Sequence, residues 1–465
     1  MEATNTLKRT VSGWSAVLLM ISAVIGSGVF KKVVPMADSL HNGGLILICW
    51  LVAGLLSMIG ALCTAELAAM MPGSGGEYVY FRKIYGRFFA FLYGWANLVV
   101  MRSATIAALA YVFSQSVYAL LPAAITGSWG EAALVVKIFA SLLVISLSAV
   151  NYRGMVFGAS LSRIFILGIV AAMVLFIGYA YFGYAPTPVA EVTVAGYSAP
   201  TPEGFGWVTA FFAASLAAFW GYEGWNNVGY IGEEVKNPQR NIPLALILGT
   251  GIIILLYAAM NAAYLRIMPV EAYAAMMATP EKIAAVEAAA VMSGPVGGAV
   301  LSILILCSTF NCTNSTILLS SRIFYALSKD KLFLPFASKV HPRFRTPSNA
   351  IVLQGGWACL MIWMGSFDQL TDLLIFAAFI FYGATALGVV LMRRKAPEME
   401  RPYRALGYPV LPILFLTFCL ALVVITIYGN PLRSLMGLGL IAAGTPIYFY
   451  FVRKQKVDIN PPPLD

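Results

Sequence analysis

What most constrains this chain is a succession of apolar runs, each long enough to cross a bilayer as a helix. About 20 apolar residues span the hydrocarbon. On that yardstick the sequence divides into twelve spans, at 12–35, 44–70, 84–121, 132–150, 158–182, 206–232, 242–266, 294–327, 348–366, 369–392, 406–428 and 433–452. In lipid every backbone polar group must be paired within the protein, so such spans fold as helices and the chain reads as an all-α polytopic membrane protein. Composition agrees: 11% of residues are charged, against about 25% in a soluble domain.

Charge then sorts the connections. Lys8, Arg9, Arg82, Lys83, Arg87, Arg153, Arg163, Lys236 and Arg240 fall on one side with Lys329, Lys331, Lys339, Arg343, Arg345, the Arg393–Lys395 cluster, Arg401, Arg404, Arg453, Lys454 and Lys456. The other side carries only Lys31, Lys32, Lys137, Arg266, Lys282 and Arg433. The cytoplasmic bias of Lys and Arg puts both termini inside, as an even number of spans requires. The same bias accounts for the net charge of +10 without a nucleic-acid-binding patch. Lys8 and Arg9 precede the first run as in a signal peptide, but the run is too long and has no evident cleavage site, so it is expected to remain in the mature protein.

Several chemistries find no support. The six cysteines (Cys49, Cys63, Cys307, Cys312, Cys359, Cys419) lie in apolar runs without metal-ligand spacing, and His41 and His341 sit near span ends. Neither a metal site, a cofactor nor a histidine proton relay is expected. Residues 72–77, Pro-Gly-Ser-Gly-Gly-Glu, lack the lysine and hydroxyl of a phosphate loop and follow a helix, so they read as a cytoplasmic turn. With no nucleophile–base pair at a plausible depth, an enzyme is not expected.

Two spans are interrupted. Ile25-Gly26-Ser27-Gly28 breaks span 1, and residues 220–227, Trp-Gly-Tyr-Glu-Gly-Trp-Asn-Asn, break span 6. A membrane helix opens only where protein or a water-filled cavity surrounds the gap, so paired breaks mark a binding site more readily than close packing of small residues does. Amides at the start of an outer half-helix suit a carboxylate, and orphan carbonyls at the end of an inner one suit an ammonium, so an amino acid is the expected guest. Each break opens a group of five spans whose third member is long, and five is odd; the plan is therefore a 5+5 inverted repeat with discontinuous helices 1 and 6. This divides the chain into residues 1–182 (spans 1–5), 206–392 (spans 6–10) and 406–465 (spans 11–12 and a cytoplasmic tail).

The motifs resemble the L-amino-acid transporter branch of the amino acid/polyamine/organocation superfamily, prokaryotic type. The resemblance runs through Val24-Ile25-Gly26-Ser27-Gly28-Val29-Phe30, Glu66-Leu67-Ala68, residues 72–78, Arg102-Ser103 and Asn151. It is most specific at Gly224-Trp225-Asn226-Asn227, Glu233-Glu234-Val235-Lys236-Asn237-Pro238 and Asn241-Ile242-Pro243. Asn261-Ala262-Ala263-Tyr264, Asn314 and Ser320-Ser321-Arg322-Ile323-Phe324 extend it. It implies a leucine-transporter-like fold working by alternating access. The substrate carboxylate is then expected at Gly26, Ser27 and Gly28, and the ammonium at carbonyls of Val24 or Ile25 and of Trp220, Gly221 and Glu223. Trp220 takes the place of an aromatic gate, and Tyr264 a position near the substrate. Ile169 stands where relatives commonly carry a lysine, which puts the coupling in question. The loop 121–131 lacks the cysteine by which animal members join a single-span glycoprotein, so no disulfide-linked heavy chain is expected, and the location is the cell (inner) membrane.

Other polar groups have a bland reading beside a functional one. Glu223 either assists the ammonium, or carries a proton, or hydrogen-bonds unwound backbone; a charge at that depth needs a partner. Arg102 is expected to snorkel toward a water interface in a structural or gating role rather than to touch substrate. Asn226 and Asn314 are read as interhelical packing contacts. The expectation is a sodium-independent exchanger of small or mid-sized neutral amino acids. The rivals are a proton- or sodium-coupled symporter and, in a different class, an amino-acid-gated channel or receptor.

Overall fold

The computed structural model describes residues 9–121, 132–185, 204, 206–279, 282–365 and 367–455. Among these, regular structure is helical, with only two isolated bridges, Val11–Val235 and Ser74–Ile231. Ten helical stretches are long and apolar enough to cross a membrane.

The chain enters through α1 (Gly13–Val24), whose N-cap Ser12 accepts the Ser15 amide at 3.3 Å. After the break at residues 25–27, α2 (Gly28–Lys31) continues through Lys32, in helical dihedrals, into α3 (Val33–Leu40). Next come α4 (Gly43–Met70), the short α5 (Glu77–Tyr85), α6 (Arg87–Ala96), a π-turn at Asn97–Met101, and α7 (Arg102–Leu120). Then follow α8 (Ala132–Tyr152) and α9 (Met155–Gly178). Asn151 lies in the last turn of α8.

In the second half α10 (Gly206–Tyr222) leads into a 3-10 turn at Trp225–Tyr230, followed by α11 (Pro238–Ile267). The connection expected at 267–294 is largely helical: α12 (Val270–Ala275), a 3-10 turn at Met276–Ala278, and the start of α13 (Ala284–Lys329). Helix α13 kinks at Ser293–Gly294, where Gly294 has φ +65°, so the expected boundary at 294 survives as a bend. The chain ends with α14 (Ser348–Met364), α15 (Phe367–Lys395), α16 (Val410–Gly429), α17 (Pro431–Ala442) and α18 (Gly444–Gln455). Helices α10 and α14, the sixth and ninth expected spans, have 17 residues each and are not among the ten long stretches.

Helix α1 packs against α9, α11 and α13, and α4 lies along α10 and α11. At the end holding residue 11 the bundle is closed. The Thr10 and Val11 amides donate to the Glu234 carbonyl at 2.9 and 3.0 Å, and the Lys236 amide returns a bond to Val11 at 2.8 Å. The opposite end opens into a cavity of about 370 Å³.

Candidate functional site

The break in the first helix lies where expected. Val24 ends α1, Ile25 turns to extended dihedrals (φ −71°, ψ 93°), and helix resumes at Gly28. The second break is narrower than expected. Trp220 and Gly221 remain in regular α10, and the helix opens only at Glu223 and Gly224. Gly224 has φ +107°, and a Cβ there would stand 2.4 Å from the Ala23 carbonyl oxygen, so only glycine lets the two breaks meet. The first residue of α2 also approaches α10: a Cβ at Gly28 would lie 2.4 Å from the Cα of Gly221, in the helix just before the second break. Each approach therefore sets a glycine at one break against the helix that flanks the other.

The carbonyls at the end of α1 are met by side chains. Tyr257 donates to Val24 at 3.2 Å, Ser308 to Ile25 and Gly26 at 3.0 and 3.1 Å, and the Cys312 thiol to Ala23 at 3.2 Å. Asn311 donates to the Ser22 hydroxyl at 2.6 Å, which lies 2.8 Å from that of Ser315. Residues 308, 311, 312 and 315 form one helical stripe of α13 laid along the broken end of α1. Each carbonyl has a second lone pair and can still accept from a ligand. The Trp220 carbonyl accepts the Glu223 amide at 3.3 Å.

Trp220 closes the site on the side of the 370 Å³ cavity, whose lining includes Phe367. Its indole N–H donates to the Ser27 hydroxyl at 3.3 Å, and its ring meets Phe367 edge-on at 5.8 Å. Tyr264 sits about 10 Å farther along α11 than Tyr257, two helical turns away. It packs on Phe176 and Tyr273, and its buried hydroxyl has no hydrogen-bond partner among the described residues. Tyr257, not Tyr264, bonds the break.

Arg102 does not snorkel. Its side chain is fully buried just after the π-turn, with Nη1 donating to Glu223 Oε1 at 2.7 Å and Nη2 to Asn226 Oδ1 and Tyr230 Oη at 3.1 and 3.0 Å. Tyr382 donates to the other Glu223 oxygen at 2.7 Å. Asn226 Nδ2 in turn donates to Glu77 Oε1 at 2.7 Å, and Tyr93 to Glu77 Oε2 at 3.3 Å. The break in α10 is thus tied to the glycine-rich turn, whose Gly75 amide also donates to the Tyr230 carbonyl at 2.9 Å. Burial pushes the Glu77 carboxyl up to about 7, against the pull of Asn226 and Arg102. A cavity of about 10 Å³ between Glu223, Trp225 and Tyr382 has room for about one water at most.

Sequence reading missed Tyr257, Ser308, Cys312 and Glu77. A signal existed for the α13 stripe, because polar residues at 308, 311, 312 and 315 repeat with helical spacing in an apolar run. None existed for Tyr257, an aromatic among many. Asn226 belongs to the charged network. Asn314 accepts from Asn151 at 2.8 Å and donates to Ser162 at 2.8 Å, so it joins three helices as expected. Ile169, at the lysine position, is buried in α9.

A family model described as amino acid permease matches residues 11–451. The serine/threonine exchanger SteT of Bacillus subtilis (strain 168) is 30% identical over 457 residues, covering 97% of this chain and 98% of that protein. The b(0,+)-type amino acid transporter 1 of Mus musculus is 29% identical over 456 residues, 97% of this chain and 89% of the relative. The cystine/glutamate transporter of Homo sapiens is 27% identical over 453 residues, 96% of this chain and 86% of the relative.

Proposed function

The chain belongs to the amino acid permease family, and from that premise we propose that it is a secondary amino-acid exchanger working by alternating access. The observation that carries the reading is the pair of helix breaks brought side by side by the close approaches Gly28–Gly221 and Gly224–Ala23, with Trp220 donating to Ser27 across them. The carboxylate of the guest is assigned to the amides and hydroxyl of Gly26, Ser27 and Gly28. Its ammonium goes to the Val24 and Ile25 carbonyls, replacing or sharing the Tyr257 and Ser308 donors. Glu223 is assigned a supporting role, because Arg102 and Tyr382 occupy both of its oxygens. Since Tyr257 is the hydroxyl on the break, Tyr264 is assigned to the wall of the path rather than to the head group.

The architecture that goes with this reading has twelve crossings, α10 with its 3-10 extension and α14 completing the ten long ones. Residues 1–182 and 206–392 form the two inverted repeats and 406–465 the last pair. Both termini are cytoplasmic, in the inner membrane, by the Lys and Arg distribution. Small or mid-sized neutral amino acids are the preferred guests: the breaks are tightly packed, and the buried carboxylate near them already has its cation. Serine and threonine, for which the Bacillus relative is named, are of this kind. Without a cysteine in the loop 121–131, no disulfide-linked heavy chain is assigned.

Proton-coupled symport is a second reading, favoured by one observation. The network encloses two carboxylates, Glu77 and Glu223, around a single guanidinium, so one carboxyl is poised to hold a proton. Counterflow in proteoliposomes with a panel of amino acids decides between the two. The exchanger predicts uptake only with internal amino acid, unaffected by sodium or a pH gradient. Uptake into empty vesicles driven by an imposed proton gradient would replace it with the symporter.

A further inference from the structure

A groove of about 660 Å³ lies on the flank of the bundle, away from both breaks, between the last half of α8 and the first half of α14. Ile145 on one wall and Val352 on the other are each more than half exposed, so the groove opens outward from the bundle. Two neighbouring glycines of α14 shape its floor. A Cβ at Gly355 would stand 2.5 Å from Ser148 Oγ, so glycine lets the two helices touch there. A Cβ at Gly356 would meet nothing within 4 Å, so glycine there keeps the groove deep. The Ser148 hydroxyl on the wall is buried with no hydrogen-bond partner among the described residues.

The rim of the groove is charged and its walls are not. Helix α8 ends at Tyr152, and Arg153 follows at one end of the groove beside Phe344, which precedes α14. The Arg343 guanidinium stands 5.5 Å from the Phe344 ring centre. Neither arginine side chain pairs with a carboxylate among the described residues, and no acidic residue lines the groove. From Tyr152 to Ile145, and from Val352 to Cys359, each wall runs about 10 Å along its helix, roughly two-thirds of one leaflet of a hydrocarbon core about 30 Å thick. A slot of that depth, apolar along its walls and cationic at its rim, complements a molecule with an anionic head and an apolar tail. The Lys and Arg distribution puts this rim on the cytoplasmic side, where anionic lipids attract basic residues. The same bias disfavours a partner's transmembrane helix, whose cytoplasmic end would bring further cations to Arg153 and Arg343.

We propose that the groove between α8 and α14 is a binding site for one anionic phospholipid of the cytoplasmic leaflet, with its phosphate at Arg153 and Arg343 and an acyl chain lying over Gly356. The site is separate from the transport reading, because no residue lining it belongs to the breaks or to the network around Arg102. Its lipid ties α8 to α14 along the line where Ser148 meets Gly355.

The experiment is native mass spectrometry of the purified full-length protein titrated with phosphatidylglycerol or with phosphatidylcholine of the same chains. Wild type is expected to hold one phosphatidylglycerol per chain about tenfold more tightly than phosphatidylcholine. Arg153→Gln and Arg343→Gln should each weaken phosphatidylglycerol about fivefold and leave phosphatidylcholine unchanged. Gly356→Leu, which fills the floor without meeting a neighbour, should remove the tightly held lipid whatever its head group. Arg240→Gln, an exposed arginine on α11 outside the groove, should change neither. Equal affinity for the two lipids in wild type, or phosphatidylglycerol binding unmoved by both Arg153→Gln and Gly356→Leu, would overturn the site. A dimer that Gly356→Leu dissociates, with no preference between the lipids, would overturn it in favour of a second copy of the chain.

Discussion

The two ends of the bundle handle charge in opposite ways. At the end holding residue 11, carboxylates are buried and paired: Glu234 with Arg322 at 2.7 Å, and Glu66 with Arg393 at 2.7 Å and with the Ala405 amide at 2.7 Å. At the other end Arg433 and Asp372 are about half exposed beside a cavity. A surface pair is worth roughly 0–1 kcal/mol, whereas stripping one member of a buried pair costs about 3–5 kcal/mol. The closed end is therefore held by discrete contacts that must be exchanged as a set, whereas the half-exposed Arg433–Asp372 pair adds little hold at the open end. Under alternating access the buried pairs would set how often the closed end opens.

The largest effect expected is at the seal. Glu234→Ala leaves Arg322 buried without its carboxylate and should cost about 3–5 kcal/mol, read as a fall in Tm of the detergent-purified protein. A Tm within a degree or two of wild type would erase the contrast between the ends. Next is the contact between the breaks. Gly28→Ala places a methyl against Gly221 backbone, which cannot yield, for an overpacking cost of about 1–3 kcal/mol. Gly26→Ala meets only the side chains of Leu109 and Cys312. Counterflow should be lost in Gly28→Ala and reduced in Gly26→Ala; the reverse order would move the site.

Third is a pH effect confined to the closed half. Glu77 is raised on folding, to about 7 from 4.5. Between those values the folded protein holds a proton that the unfolded chain has released, so this group's contribution to stability is full below about 4.5, declines as pH rises to 7, and is flat above. Glu77→Gln should flatten that part of the Tm–pH curve, and an unchanged slope would show that Glu77 does not titrate there. The smallest effect is at the open end, where Arg433→Ala should change stability by less than about 1 kcal/mol. A larger loss would mean that the cavity wall is as tightly held as the seal.

Much of this was legible before any coordinates. The break at residues 25–28 is where glycine and serine interrupt an apolar run, and Glu223 needs a partner because a charge at that depth is costly. The partner itself was not legible. Arg102 lies 121 positions away, and nothing local distinguishes an arginine that snorkels from one folded inward onto a carboxylate. The extent of the second break is not legible for a related reason. Trp220-Gly221-Tyr222 looks breakable, yet it stays helical, with Gly28 packed against its Gly221 backbone.

The sequence by itself determined the membrane setting, the helical class and the positions of the weak points, because hydrocarbon penalises each unpaired peptide group locally and the penalty is written in runs of residues. Only the tertiary structure decided which carbonyls Tyr257, Ser308 and Cys312 would meet, which cation would hold Glu223, and which end would stand open. Those outcomes depend on contacts between residues far apart in the chain, fixed by how helices pack and not by what any one helix contains.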